Sequence, residues 1–237
     1  MIIDTHVHLG DIFGFDKNFR LEERNTEAIH PGKPNTYEQM GFRNIYLGRL
    51  NYLFKPLIVS AAHSMTRYGN LLNLEESMKT CEIDSSVVLA LEPYVPTESI
   101  LAVCAKNKNL IPFCSVHPRD EGKKEKLRRY INSGCRGLKI HPVFQEVSPD
   151  DPATLELLEE VRSYNIPVLF HTGWGSIGRG EFGSPSRFKR ILDSFPKMTF
   201  IFAHIGLYEP FAMLDLIEHH PNVSCDTSFQ PAGIVRR

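Results

Sequence analysis

The chain has 237 residues, with 27 basic and 28 acidic side chains and a formal net charge of -1. That balance leaves no whole-molecule field to gather nucleic acid or an anionic membrane. A hydrophobic share of 42% against 23% charged residues excludes a disordered chain and gives enough apolar surface for a full globular core.

Five cysteines (Cys81, Cys104, Cys114, Cys135 and Cys225) are scattered, odd in number and without a C-x-x-C pair. The pattern argues against a disulfide framework or a structural zinc knuckle, and for a reducing compartment. The start, Met1-Ile2-Ile3-Asp4, has no basic leader followed by an apolar run, and no window approaches the ~18 apolar residues of a membrane span. The expected setting is therefore cytoplasmic, with a small-molecule substrate and neither nucleic acid nor membrane as partner.

Seven short β-branched, apolar runs follow one another along the chain: Ile2 to His6, Ser85 to Leu91, Ile111 to Val116, Gly137 to His141, Pro167 to His171, Thr199 to His204 and Asn222 to Ser228. From the second onward their centres are about 24 to 32 residues apart, the interval of strand, loop, helix, loop. Between them lie helical signals. The locally basic stretch Lys123 to Arg129 reads as the wet face of a helix. Asp151-Pro152 opens a helix with Leu155, Leu158 and Val161 on one side, and Ser184-Pro185 opens another with Phe188, Ile191 and Leu192 inward, closed by Pro196. Tyr208 to His220 predicts a third, with Phe211, Leu214, Leu216 and Ile217 as its apolar face and Pro221 as its stop.

This alternation fits a (β/α)8 barrel of the TIM type or an open doubly wound sheet. The second would place a G-x-G-x-x-G turn after the first strand; His6-Val7-His8-Leu9-Gly10 stands there instead, which favours the α/β barrel. Residues 11–69 form a long insertion after the first strand, expected to fold as a lid or subdomain within a single barrel domain over 1–237. The strand interval puts an eighth strand at about position 250, past Arg237, so the barrel is expected to be cut short before strand 8.

Barrel enzymes carry their chemistry at the C-terminal ends of the strands. His6 and His8, two apart on the first strand, share a face by the period-2 rule, and the same rule adds Asp4. Lys139 and His141 end the fourth run, His171 the fifth and His204 the sixth, with Asp226 in the seventh. Two imidazoles on one strand face can chelate a divalent ion, and histidines at successive strand ends point to one shared site.

The segments Ile2-Ile3-Asp4-Thr5-His6-Val7-His8-Leu9-Gly10, Gly137-Leu138-Lys139-Ile140-His141-Pro142, His171-Thr172-Gly173 and Ala203-His204-Ile205-Gly206 resemble the amidohydrolase superfamily. More narrowly, they are similar to the branch that includes aminocarboxymuconate-semialdehyde decarboxylase and many metal-dependent hydrolases. The resemblance implies that His6, His8 and His171 hold a divalent metal, Zn²⁺ first, with Mn²⁺, Fe²⁺ or Co²⁺ as alternatives. It implies that His204 is a catalytic residue beside the metal, activating water or polarising substrate. It places Lys139 near the substrate, bridging two metals being the less favoured role, and His141 joins it as a substrate-side candidate. Trp174 and Arg179, in the glycine-rich loop after His171, are candidates to close on a carboxylated substrate. The family's aspartate at the end of strand eight has no match in this sequence, and Asp226, on strand seven, is not given its role.

The implied activity is metal-dependent hydrolysis of an amide, ester or lactone-type bond in a small polar substrate. The alternatives are non-oxidative decarboxylation of a small unsaturated or aromatic acid, and a metal-binding scaffold without catalysis. A homodimer is expected by analogy with proteins of this architecture.

Overall fold

A computed structural model describes residues 1–12, 19–23, 68–174 and 179–228. The chain divides into two compact units, Met1–Ile29 with Ser60–Ile140, and His30–Val59 with His141–Arg237. Apart from residues 11–12, 19–23 and 68–69, the insertion expected over 11–69 lies outside the described residues, as does the interior of the glycine-rich loop, 175–178.

The first unit holds strands β1 (Ile3–His8), β2 (Ser85–Leu89), β3 (Leu110–Ser115) and β4 (Gly137–Ile140), each parallel to the next in chain order. Helices α1 (Leu71–Thr80), α2 (Thr97–Cys104) and α3 (Lys123–Asn132) connect them. Short parallel strands need both faces covered, and every residue of β4 and all of β2 after Ser85 are buried, polar Ser86 and Lys139 included. Val88, Leu89 and Leu138 are fully buried, as are Ile100 of α2 and Leu127 of α3. Asn70 starts α1 by accepting a hydrogen bond from the Asn73 backbone N–H at 3.0 Å, satisfying one of the amides that a helix leaves unpaired. The basic stretch is α3, as expected: Leu127 and Tyr130 face inward, while Arg128 pairs with Glu125, Arg129 with Glu98 and Lys126 with Asp120.

One feature of β1 departs from simple alternation. Asp4 pairs with Ser86 but Val7 pairs with Val88, so three steps of β1 face two of β2. This is a bulge, and it moves Asp4 to the face of Val7, opposite His8. The expectation that Asp4 shares a face with His6 and His8 is corrected: the extra residue breaks the period. The Asp4 side chain instead accepts a hydrogen bond from the His6 backbone N–H at 3.1 Å, across the bulge itself.

The second unit holds the parallel strands β5 (Val168–Phe170), β6 (Phe200–Phe202) and β7 (Val223–Cys225). Its helices are α4 (Pro142–Gln145), α5 (Pro152–Arg162), α6 (Lys189–Ser194) and α7 (Pro210–Glu218). Asp151 caps α5 by accepting from the Ala153 N–H at 2.9 Å, with Pro152 at the first helical position, where its missing N–H is not needed. Leu157, Leu158 and Val161 are its buried face. The core is aromatic: Phe188 lies 5.4 Å from Phe170 and 4.8 Å from Phe202 between ring centres, and all three are fully buried with Phe200.

Helix α7 presents a different face from the one expected. Met213 is buried, Leu216 and Ile217 are half-buried, and Phe211 and Leu214 are 83% and 50% exposed. Apolar residues at 211, 213, 214, 216 and 217 offer two overlapping helical stripes, and the packed one is 213, 216 and 217, at i, i+3 and i+4. Among the described residues no helix is long and apolar enough to cross a membrane.

Candidate active site

In the first unit the site residues are His6 and His8 at the end of β1 and Lys139 on β4. The two imidazoles meet edge to face, with ring centres 5.1 Å apart and their Nε2 atoms 3.2 Å apart. Two nitrogens bound to one zinc at ~2.0–2.1 Å in a tetrahedral arrangement lie roughly 3.3–3.4 Å from each other. The pair therefore has the spacing of two ligands on one ion. Lys139 is fully buried, paired in register with Ser115 of β3. An ammonium in such a place needs acceptors or an anion around it, because burying the charge alone is prohibitive.

In the second unit His141, His171 and His204 come together. Strand β4 ends at Ile140, so His141 is not a strand residue; it caps α4, its Nδ1 accepting from the Phe144 backbone N–H at 3.2 Å. Its own N–H donates to Gln145 Oε1 at 2.9 Å. The ring is stacked between two others, 4.1 Å from Phe144 and 3.9 Å from His171 between centres. His171, just past β5, meets His204 edge to face at 5.0 Å.

His204 sits on a left-handed turn. His204, Ile205, Gly206 and Leu207 all have positive φ, at 63°, 43°, 72° and 46°. For side chains other than glycine this conformation is strained, and for a β-branched isoleucine it is a true outlier. The backbone amides that define the turn are held from outside it. Asp226 accepts from the His204 N–H through Oδ1 at 3.0 Å and from the Ile205 N–H through its carbonyl at 3.1 Å. The Thr172 hydroxyl donates to the Ala203 carbonyl and accepts from the Gly206 N–H at 3.3 Å. Strain of this kind persists where the surroundings over-determine it, and such places cluster at functional sites.

The loop after β5 is pinned at its roots by glycine contacts. The Gly173 N–H donates to the Gly183 carbonyl at 2.7 Å, and a Cβ at Gly183 would fall 1.9 Å from the Gly173 oxygen. Trp174 is buried. Arg179 bonds Glu181 at 2.7 Å, and its guanidinium lies 4.9 Å above the Phe182 ring. The Glu181 carboxyl is held below its ordinary range, hydrogen bonds from its own backbone and from Arg179 outweighing the opposing effect of burial.

Sequence reasoning placed Asp226 at the end of the seventh run but missed its part as the clamp of the turn, and it missed Ser228 behind it. Ser228 donates from its hydroxyl to Asp226 Oδ1, and its carbonyl and hydroxyl oxygens both lie 2.9 Å from His204 Nδ1. The only signal was their position in the seventh strand run, since both act through backbone and imidazole N–H groups that leave no pattern in the sequence. The neighbouring Cys225 thiol is pushed up to about 12, by burial first and by the Asp226 charge second, which leaves it inert as a nucleophile.

Comparison with known structures defines the fold first. An uncharacterised TIM-barrel protein of Bordetella bronchiseptica aligns over 99% of this chain and 79% of its own, with a TM-score of 0.66 at 17% identity. A 5-carboxyvanillate decarboxylase of Novosphingobium aromaticivorans, solved with manganese and a nitrobenzoic acid, aligns over 93% and 70% with a TM-score of 0.60 at 15% identity. The corresponding values for a putative 2-pyrone-4,6-dicarboxylic acid hydrolase of Pseudomonas putida are 94%, 67%, 0.52 and 14%. The fold is thus a TIM-type (β/α) barrel, with seven strands among the described residues. The chain belongs to the amidohydrolase family, whose model matches residues 3–233. A dihydroorotase of Helicobacter pylori (strain HPAG1) is 25% identical over 185 residues, which are 72% of this chain and 53% of that protein. The chain spans about half the length of that relative.

Proposed function

We propose that the protein is a metal-dependent hydrolase acting on an amide, ester or lactone-type bond of a small polar substrate. The observation that carries the proposal is the 3.2 Å approach of the His6 and His8 Nε2 atoms, the spacing of two ligands on one ion. In this proposal His6, His8 and His171 hold the metal and His204 is the catalytic residue beside it. Neutral imidazoles suit zinc, with manganese, iron or cobalt also compatible, and the manganese in the decarboxylase structure supports a divalent ion in this family. When bound, such an ion lowers the pKa of water toward ~7 and polarises a carbonyl.

The chain's own residues orient the substrate. Lys139, buried on β4, is proposed to offer its charge to a substrate carboxylate or a polarised oxygen, and His141 and Trp174 to line the substrate side. Arg179 is proposed to reach an acid substrate by exchanging Glu181 for it. Burial of Lys139 also supports the second reading, decarboxylation of a small unsaturated or aromatic acid, because a buried cation favours an anionic ligand. A single barrel domain, pairing into a homodimer in a reducing, cytoplasmic setting, completes the proposal; the scattered free cysteines support the compartment.

The test is to strip the protein with a chelator, add back zinc or manganese, and assay amide, ester and lactone substrates alongside aromatic acids. Metal-dependent hydrolysis supports the leading reading. Metal-dependent release of carbon dioxide alone replaces it with the second, and activity that ignores the metal contradicts both.

A further inference from the structure

Strand β2 parts from β3 before β3 ends. The last register pair between them is Leu89 with Phe113, and the Ala90 N–H donates to the Phe113 carbonyl at 3.0 Å. Past it the chain turns away, with Leu91 and Val95 bonding each other in both directions at 2.9 and 2.7 Å. Ser115, two residues beyond Phe113 and fully buried, ends β3 past that last pair. A buried N–H and carbonyl in such a place must be paired from outside the ladder. The Thr97 hydroxyl, on the first residue of α2, serves both. It accepts from the Ser115 N–H at 3.0 Å and donates to the Ser115 carbonyl at 3.1 Å. Thr97 is itself fully buried, which keeps solvent from either bond.

On its other side Ser115 pairs in register with Lys139 of β4, and in-register neighbours on parallel strands share a face at about 4.8 Å. Gly137 lies on that face too, two residues before Lys139. The Phe113 ring covers it: a Cβ at Gly137 would fall 2.4 Å from two ring carbons. The buried lysine is thus bounded along β4 by an aromatic ring and across to β3 by the residue that Thr97 holds. We infer that Thr97 is a positioning residue for Lys139, its hydroxyl standing in for β2 at the last rung of the sheet and fixing the strand end beside the lysine. The inference rests on the reading above only in that Lys139 serves the substrate. Thr97 acts through the Ser115 backbone, so its substitution disturbs the lysine and leaves the His6–His8 pair on β1 its affinity for zinc.

The experiment combines amide hydrogen exchange with lysine ε-methylene signals in the metal-free full chain, labelled with ¹⁵N and with ¹³C-lysine and ¹³C-leucine. In the parent the Ser115 amide should exchange within roughly tenfold of the Ala90 amide, and far more slowly than an exposed one. Thr97→Val keeps the shape and removes both bonds. Ser115 exchange should then rise by roughly tenfold or more and the Lys139 signal should shift, with the Leu127 methyl signals unchanged. Thr97→Ser should return both toward the parent. A Ser115 amide left unprotected in the parent overturns the inference. So does a Thr97→Val chain in which Ser115 exchanges faster while Lys139 stays in place, because Thr97 is then a pin of the fold alone. A serine that fails to restore the lysine signal overturns the role of the hydroxyl. Positioning leaves the fold intact, so loss of cooperative melting in both Thr97→Val and Thr97→Ala contradicts it as well. None of these signals depends on metal or substrate, and zinc uptake by the same samples reports separately on the hydrolase reading.

Discussion

The ends of β1 and β6 solve one problem, aiming histidines out of a parallel strand, in different ways. At β1 the device is a change of register: one extra residue, with Asp4 tied to the His6 N–H, and no residue from Ile3 to His8 with positive φ. At β6 the device is a strained left-handed turn of four residues held by Thr172 and Asp226. A bulge needs little beyond its own strand. The turn is held by groups from the ends of β5 and β7, the Thr172 hydroxyl and the Asp226 carboxylate and carbonyl, which satisfy its amides. The β6 end should therefore be the more sensitive to substitutions at a distance.

The largest effect is expected where the second device has no slack. Gly183→Ala puts a Cβ against the Gly173 carbonyl, and overpacking against backbone should reach or exceed the top of the ~1–3 kcal/mol range. Thermal unfolding reads it directly, and an unchanged melting temperature would mean the loop roots are not in contact. Thr172→Val comes next. It removes the hydroxyl that serves both Ala203 and Gly206, for a loss of about 2 kcal/mol by urea unfolding, while Thr172→Ser restores most of it.

Ile205→Gly should be more stable than Ile205→Ala by about 1 kcal/mol, because both lose the half-buried side chain and only glycine accepts the positive φ without strain. An alanine variant as stable as the glycine one would show that the turn is not strained. At β1, Asp4→Ala should lose only ~0.5–1.5 kcal/mol, with Asp4→Asn recovering it, since either oxygen can accept the His6 N–H.

The smallest effect lies away from both ends, at the Lys126–Asp120 pair. The hydrogen bond from Lys126 holds the Asp120 carboxyl below its ordinary range, and the same bond raises Lys126. A depressed carboxyl contributes stability above its unfolded pKa and loses it as pH falls through the folded value. A raised lysine contributes below its unfolded pKa and loses it as pH rises through the folded value. Lys126→Met should therefore lower stability by well under ~1 kcal/mol near neutrality, with the gap to the parent closing toward acid and strong base in pH-dependent melts.

The same contrast explains what the sequence made readable. All seven strand runs correspond to observed strands, because parallel strands buried on both faces announce themselves as β-branched runs between helical signals. His6 and His8 were legible from their spacing of two on the first strand, and the structure brings their Nε2 atoms to 3.2 Å. Asp4 was misread because the bulge breaks that count. On α7 the apolar positions allowed two stripes, and only packing chose Met213 over Phe211 and Leu214. The role of Asp226, and Ser228 altogether, stayed hidden because their partners are backbone amides and one ring nitrogen brought close by folding. The turn at 204–207 was hidden too: nothing in Ala203-His204-Ile205-Gly206 favours three non-glycine residues at positive φ, and its conformation is imposed by neighbours.

The central claim is that His6 and His8 are a ligand pair, and metal content by elemental analysis tests it most directly. The purified chain should carry about one equivalent of zinc or a similar divalent ion per protomer. The His6→Ala/His8→Ala double variant should lose it while keeping a cooperative melt. An ion retained by that variant, or none bound by the parent after zinc is offered, would contradict the account.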